Sequence, residues 1–301
     1  MPTSTLTEDD WGTLLDRIRD GECTPFLGAG ACCGNLPLGR EVATEWAQKY
    51  AYPLDDKEHL PRVAQYLAIR SDRMRPKEKL LEAFRSRVGT NTPDFRMEDE
   101  LHGVLADLPI PVYLTTNYDP FMKSALQSRN RGCEREYCRW NESLRRRPTI
   151  FEHNYEPTKD RPLVYHLHGY DELAESLVLT EDDYLDFLVS FAQNQLALLP
   201  NPILRRVAET TLLFLGYSLL DLDFRTLFRS VETCLRNGIG RSHVSVQLVP
   251  VGKQATDEER QCAQDYLERY FGRLEIHMYW GTCRDFAREL RTRWLAFCHA
   301  E

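Results

Sequence analysis

Two hydrophobic patterns alternate along most of the chain. Short apolar runs predict buried strands, and segments in which apolar residues recur every three or four positions predict helices. The runs lie at about 23–27, 111–115, 163–167, 211–215, 244–251 and 274–279. Because strands alternate with helices, the pattern predicts an α/β fold with a doubly wound, mostly parallel sheet of about six strands. The run at 211–215 is the most apolar, which predicts a central strand.

Two segments depart from this alternation. Four stripes of apolar residues at helical spacing fill residues 39–106, which predicts a helical insertion between the first two strands. Residues 129–161 are rich in arginine and show neither pattern, so we expect an irregular insertion there. A solvated loop is the usual interpretation of such a run, and a lid or a surface for a partner or phosphate is the alternative. Both insertions are expected to belong to one domain covering residues 1–301.

Four predicted strands are followed directly by glycines or polar residues. These segments are Gly28-Ala29-Gly30, Thr116-Asn117-Tyr118-Asp119, His168-Gly169 and Gly216-Tyr217-Ser218. In a Rossmann-like sheet, ligands bind beyond the carboxyl ends of the strands, so four such endings predict one pocket. A Cβ at Gly28 or Gly30 is expected to prevent a positive φ or to collide with the ligand.

Each of these segments also has a simpler interpretation. Polar residues after a strand often form turns or cap the next helix, and a single histidine is often a hydrogen-bonded core residue. The residues open to these interpretations are Asn117, Asp119, Asp221 and His168.

Composition excludes several classes of function. Lys and Arg number 38 and Asp and Glu 46, so the net charge of −8 does not indicate binding to nucleic acid or to an anionic membrane. No apolar stretch approaches a membrane span, and the first residues lack the pattern of a secretory signal. Nine scattered cysteines are typical of reduced cytoplasmic thiols. Cys133 and Cys138 could supply half a zinc site, but no second cysteine pair has ligand spacing.

The four motifs, in this order, resemble those of the sirtuin-like domain, and more narrowly its bacterial branch found in anti-phage defence. They read Gly-Ala-Gly, Thr-Thr-Asn-Tyr-Asp, His-Leu-His-Gly and Leu-Gly-Tyr-Ser-Leu-Leu-Asp, within about residues 22–230. Deacetylating sirtuins instead carry Thr-Gln-Asn-Ile-Asp and a four-cysteine zinc module. This chain has Thr116 in the glutamine position and lacks the four-cysteine pattern. These departures favour the branch that hydrolyses NAD over the deacetylases.

The resemblance implies NAD+ as the substrate and a binding role for several motif residues. Gly28, Ala29 and Gly30 would hold its pyrophosphate. The further nucleotide-binding candidates are Thr116, Gly216, Ser218 and Asp221.

The resemblance also implies a catalytic set. Asn117 and Asp119 would lie beside the nicotinamide ribose, and His168 would act as general base. Cleavage of the nicotinamide–ribose bond develops positive charge on the ribose, so a carboxamide can orient a ribose hydroxyl or a water molecule. A neutral imidazole near its working pH can take the proton. No metal is expected.

Three other functions remain as alternatives. Gly28, Gly30 and Gly34 approximate the dinucleotide-binding fingerprint of a dehydrogenase. That fingerprint predicts a second strand and an acidic residue about 20 residues further on, but helical stripes fill this region. A non-catalytic module that senses NAD or ADP-ribose would use the same pocket. A sirtuin-type deacylase is weakened by the missing cysteine pattern.

The family likeness further implies depletion of NAD+ during infection. Since an unrestrained NAD hydrolase would kill its host, we expect an inactive resting state held by assembly or by a partner. Homo-oligomerisation is expected, and the expected trigger is a separate protein such as a HerA-type ATPase.

Overall fold

The computed structural model describes residues 6–218, 242–252 and 254–300. The strands in these ranges are β1 Cys23–Leu27, β2 Val112–Thr115, β3 Glu134–Tyr137, β4 Leu163–His166, β5 Thr211–Leu215, β6 His243–Gln247 and β7 Ile276–Trp280. They form one sheet in the order β3-β4-β2-β1-β5-β6-β7, and all neighbours are parallel. The predicted Rossmann-like sheet is confirmed, with seven strands where about six were expected.

The helices are α1 Glu8–Arg19, α2 Gly39–Lys49, α3 Leu60–Arg70, α4 Arg75–Asn91, α5 Leu101–Ala106, α6 Phe121–Ser128, α7 Glu142–Arg145, α8 Glu181–Leu198, α9 Asn201–Glu209, α10 Asp257–Gly272 and α11 Cys283–Ala300. Since α2 to α5 lie between β1 and β2 along the chain, the helices predicted for 39–106 are confirmed. A further helix is predicted near 222–235 from apolar residues at helical spacing, and this segment lies outside the described residues. None of the described helices is both long and apolar enough to cross a membrane.

Apolar side chains cover both faces of the sheet, because successive strand residues point to opposite faces. In β5, Leu213 and Leu215 join the cluster formed with α1, α5, α6 and α11, whereas Leu212 and Phe214 join the cluster formed with α8, α9 and α10. All five residues of β5 are buried, and the strand lies between β1 and β6. The prediction of a central strand is therefore confirmed.

The helical insertion has a small apolar core of its own. Trp46 of α2, Val63 of α3 and Leu80 of α4 pack in one cluster with Leu177 and Leu179, which precede α8. The insertion is thereby attached to the segment that follows β4.

Residues 129–161 are more regular than expected, because they contain β3 and α7. β3 pairs with β4, with Glu134 opposite Leu163 and Tyr137 opposite His166. Its sequence, Glu-Arg-Glu-Tyr, contains no apolar run. The strand nevertheless buries Glu136, whose Oε1 lies 3.0 Å from Nη1 of Arg139. The expectation of an irregular segment was wrong here because an edge strand rich in charged residues lacks the hydrophobic pattern of a central one.

The order of the strands defines where a ligand is expected. From β1 the chain continues to β2 and β4 on one side, and it returns to β5 on the other side of β1. Ligands of such sheets bind in the crevice where the strand order reverses. The carboxyl ends of β1 and β5 therefore define the candidate site.

Candidate functional site

The glycine turn after β1 is packed directly against the turn after β5. Gly28 N donates to the carbonyl oxygen of Leu215, and Gly30 N donates to that of Gly216, both at 2.8 Å. A Cβ on Gly28 would lie 2.8 Å from the carbonyl oxygen of Gly216, and one on Gly30 would lie 2.9 Å from its Cα. Glycine is needed at both positions because two backbones of the protein approach closely, and neither residue has the positive φ that was one of the two expected reasons.

Gly216 adopts the left-handed backbone conformation, with φ of +76°. A Cβ at this position would lie 2.2 Å from the backbone nitrogen of Ala31. The turn after β5 therefore requires glycine on both conformational and steric grounds.

The backbone N–H of Ala29 is the donor in the glycine turn that has no partner among the described residues. Ala29 is exposed at the start of a 3-10 helix spanning Ala29–Cys32. The N–H groups of Gly28 and Gly30 are used within the protein, whereas no described residue accepts from the N–H of Ala29. An exposed amide at the start of a helical turn is suited to an anionic ligand such as a phosphate.

Asn117 joins the ends of β1 and β2. Its Nδ2 donates to the carbonyl oxygen of Gly28 at 2.9 Å and contacts Sγ of Cys32 at 3.4 Å. The backbone carbonyl oxygen of Asn117 forms a hydrogen bond of 2.9 Å with Nδ1 of His166. No described residue donates to Oδ1, so a positioned amide oxygen remains available at the edge of the sheet.

Thr116 and Tyr217 link the ends of β2 and β5. Thr116 Oγ1 lies 2.9 Å from the hydroxyl of Tyr217, which donates to the carbonyl oxygen of Leu27 at 2.8 Å. The Tyr217 ring also packs against Phe26 and next to Gly28. No role was predicted for this tyrosine from the sequence, although it stands between Gly216 and Ser218 in the fourth motif.

His168 lies in an apolar environment. It is 8% exposed, and its ring makes edge-to-face contacts with Tyr184 and Phe187 at centroid distances of 5.4 and 4.9 Å. Burial lowers the pKa of His168 to about 3, so the imidazole is neutral at neutral pH. No described residue hydrogen-bonds to the ring, unlike the hydrogen-bonded core histidine of the simpler interpretation. The ring is therefore a weaker base than the imidazole near its working pH that was expected from the sequence.

Both carboxylate oxygens of Asp119 are used within the protein. Oδ1 accepts from the backbone N–H of Phe121 at 2.9 Å, and Oδ2 accepts from the thiol of Cys32 at 3.1 Å. The first contact fits the alternative interpretation of Asp119 as a residue that starts the next helix. Ser218 is exposed at the end of the described segment, and Asp221 lies outside the described residues.

Several arginines of 129–161 support the sheet edge. Arg131 donates to the carbonyl oxygens of Ala106 and Leu108, each at 2.8 Å. Arg135 is almost fully buried and lies 2.6 Å from Asp171, and its Nε contacts Nε2 of His166 at 3.2 Å. These arginines stabilise the structure and are not free to bind a phosphate.

Two comparisons relate the chain to known proteins. A family model described as a SIR2-like domain matches residues 111–271. An NAD(+) hydrolase ThsA from Cytobacillus dafuensis is 25% identical over 231 residues, which cover 76% of this chain and 42% of the relative. ThsA from Acinetobacter baumannii is 26% identical over 230 residues, or 73% and 42% of the two chains. A Bacillus cereus ThsA is 27% identical over 215 residues, or 69% and 40%. The chain thus spans less than half the length of these relatives.

Proposed function

The chain belongs to the SIR2-like domain family, and we propose that it is an NAD+ hydrolase that releases nicotinamide and ADP-ribose. The observation that carries this proposal is the contact between Asn117 Nδ2 and the carbonyl oxygen of Gly28, which leaves Oδ1 available next to the phosphate-binding turn. The likeness to ThsA hydrolases supports the same reaction.

The proposed substrate position follows from the available donors and acceptors. The pyrophosphate lies at the N–H of Ala29, and Gly216 and Ser218 contact the nucleotide from the turn after β5. The nicotinamide ribose lies near Oδ1 of Asn117, which accepts a hydrogen bond from a ribose hydroxyl or the attacking water. Thr116 and Asp221 complete the proposed binding residues, and Asp119 keeps the loop of Asn117 in place.

His168 takes the proton of the attacking water in this proposal. A positioned base contributes about 10²–10⁴ in rate, or roughly 3–5 kcal/mol of barrier. Its pKa of about 3 in the free protein makes it a weak base. The negative charge of a bound pyrophosphate would raise that pKa and so favour proton transfer.

A sensor of NAD or ADP-ribose that does not catalyse a reaction is the second candidate function. The observation in its favour is the same low basicity of His168. A sensor needs the binding turn of residues 28–30, but it does not need a neutral imidazole that can accept a proton.

The proposal includes a biological setting. Activity in the cytoplasm during phage infection would deplete NAD+, and an assembly or a partner would hold the enzyme inactive until then. A separate protein such as a HerA-type ATPase would be the trigger. The described cysteines are unpaired, as expected in a reducing compartment. A single monomeric peak in light scattering, combined with full activity, would contradict the regulation by assembly.

The test is nicotinamide release from NAD+ by the purified chain. We expect release by the wild type, alone or after addition of a candidate trigger protein, and equally by the control His153→Ala, which changes an exposed histidine. His168→Ala and Asn117→Ala are expected to lose about 10²-fold or more in rate. Calorimetry measures NAD+ binding in parallel. Tight binding without release, alone and in mixtures with candidate partners, would overturn the hydrolase and support the sensor.

A further inference from the structure

Three metal-ligating side chains meet in the interior beneath the glycine turn. Cys32 ends the 3-10 helix after β1, His102 belongs to the first turn of α5, and Asp119 follows β2. They are 5%, 1% and 7% exposed, respectively. One ligand atom of each lies within 4.8 Å of the ligand atoms of the other two. Three segments that are distant in sequence therefore converge on one buried point.

One ring nitrogen of His102 is open to a ligand. Its Nδ1 lies 2.9 Å from Oε1 of Glu100, and a carboxylate at that position makes Nδ1 the donor. In the neutral ring, the lone pair is then on Nε2, with which no group within the described ranges forms a hydrogen bond. Nε2 is therefore the atom of His102 that can bind an ion.

We propose that Cys32, His102 and Asp119 bind one Zn²⁺ ion. Thiolate, imidazole and carboxylate are all ligands that zinc accepts, and the bond from Glu100 to Nδ1 is the contact that usually orients a metal-bound histidine. Zinc–ligand bonds of about 2.0–2.3 Å place tetrahedral ligand atoms about 3–4 Å apart. Since the ligand atoms lie within 4.8 Å of one another, binding requires them to approach by at most roughly 1 Å. A water molecule takes the fourth position.

Binding replaces the thiol proton. In the structure the Cys32 thiol donates to Oδ2 of Asp119 at 3.1 Å. When the ion binds, the S–H bond breaks, a Zn–S bond forms and the proton leaves to solvent. His102 gives the Nε2 lone pair and Asp119 gives Oδ2, and where the His102 ring is protonated, its Nε2 proton leaves to solvent as well. Since Asn117 Nδ2 contacts Sγ of Cys32, the ion would also fix the loop that carries Asn117.

Cobalt titration of the untagged full chain tests the site, because a thiolate bound to Co²⁺ gives a charge-transfer absorption band in the near ultraviolet. We expect one Co²⁺ per chain with this band, displaced by Zn²⁺. Cys32→Ser should lose the band. Cys138→Ser should keep it, because Cys138 is also buried but its thiol contacts the carbonyl oxygen of Leu198 at 3.9 Å.

A second variant retains the cysteine. Glu100→Gln is expected to weaken Zn²⁺ affinity about 10–100-fold, since its amide oxygen can still accept from the backbone N–H of Gly103 while its NH₂ group cannot accept from Nδ1 of His102. Circular dichroism checks that each variant is folded. If Cys32→Ser does not fold, the Zn²⁺ affinity of Glu100→Gln is the measurement that tests the site. Absence of a band in the wild type would overturn the proposal. A band that persists in folded Cys32→Ser, or an affinity unchanged in Glu100→Gln, would overturn it as well. None of these readouts depends on NAD+ hydrolysis.

Discussion

The ammonium group of Lys77 lies 2.9 Å from Oδ2 of Asp183, and the two side chains are 4% and 1% exposed. The same carboxylate oxygen accepts hydrogen bonds from the backbone N–H groups of Leu179 and Thr180. Asp183 Oδ1 lies 3.7 Å from Nη2 of Arg73. One ion pair therefore fixes the start of α8 against α4.

This pair connects the helical insertion with the environment of His168. Lys77 belongs to α4, and Asp183 belongs to the first turn of α8. The next residues of α8 include Tyr184 and Phe187, whose rings flank His168. Displacement of α8 would therefore change the burial of His168.

Lys77→Met is expected to lower the free energy of unfolding by about 3–5 kcal/mol, because it removes the buried cation and leaves the Asp183 carboxylate with the more distant and exposed Arg73. Urea unfolding at neutral pH measures this change. Arg62→Met is the matched control, since Arg62 also pairs with α8, through Glu181, but its side chain is 50% exposed. The control should cost less than about 1 kcal/mol. Equal effects of the two substitutions would show that burial does not strengthen the contact.

Gly216→Ala and Gly89→Ala should change stability in opposite directions. At Gly216, a Cβ meets the backbone of Ala31 at 2.2 Å and φ is +76°, so alanine should cost more than about 1–2 kcal/mol. At Gly89, inside α4, nothing lies within 4 Å of the added Cβ. Alanine there should stabilise by up to about 1 kcal/mol, because it has the higher helix propensity. Thermal unfolding distinguishes the signs, and a stabilised Gly216→Ala protein would contradict the geometry of the turn.

How much of the fold could be predicted depends on where each residue lies. Thr211–Leu215 were recognised because a strand buried on both faces must be apolar. Glu134–Tyr137 were missed because this edge strand has a neighbouring strand on one side only, and its charged sequence lacks the apolar run of a central strand. The burial of Glu136 depends on Arg139 and on the backbone N–H of Ile150. Such contacts across the fold leave no periodic signal in the sequence.

The same limit applies to the candidate site. The glycines after β1 and β5 were recognised from their positions after strands, but the partner of each glycine was not. Glu100 and His102 were missed because they lie beside a helical stripe. Their contact with each other, and the proximity of His102 to Asp119, exist only in the folded chain. Residues at strand ends are predictable from topology, whereas a buried polar cluster requires the packing of several segments.

His168 should make stability depend on pH. Its pKa is about 3 in the folded protein against 6.5 for the ordinary group, so the unfolded chain binds one more proton between these values. The stabilisation is complete above about pH 6.5 and is lost as the pH falls toward 3. Between about pH 7.5 and pH 5, the wild type should lose roughly 2 kcal/mol more than His168→Phe, as measured by urea unfolding at each pH.

A control separates this effect from the other histidines. His153→Phe changes an exposed side chain, so its loss of stability over the same interval should match that of the wild type. If His168→Phe also matches the wild type, His168 is not buried as a neutral ring, and the aromatic contacts with Tyr184 and Phe187 would need to be revised.

Asn117→Asp tests whether the amide group itself is needed. The substitution keeps the shape of the side chain but removes the Nδ2–H donors, so a carboxylate oxygen would face the carbonyl oxygen of Gly28 at a position now 2.9 Å away. Repulsion should move the side chain, and displacement of about 1 Å can cost 10²-fold in rate. Stability should fall by about 1–3 kcal/mol, because the carbonyl oxygen of Gly28 loses its hydrogen-bond donor.

The matched control for this substitution is Asn141→Asp. The side chain of Asn141 caps α7 by accepting from the backbone N–H of Leu144 through Oδ1, and an aspartate oxygen can accept in the same way. Nicotinamide release and urea unfolding measured on both variants decide the matter. An Asn117→Asp protein that turns over NAD+ at the wild-type rate would show that the carboxamide is not part of the reaction.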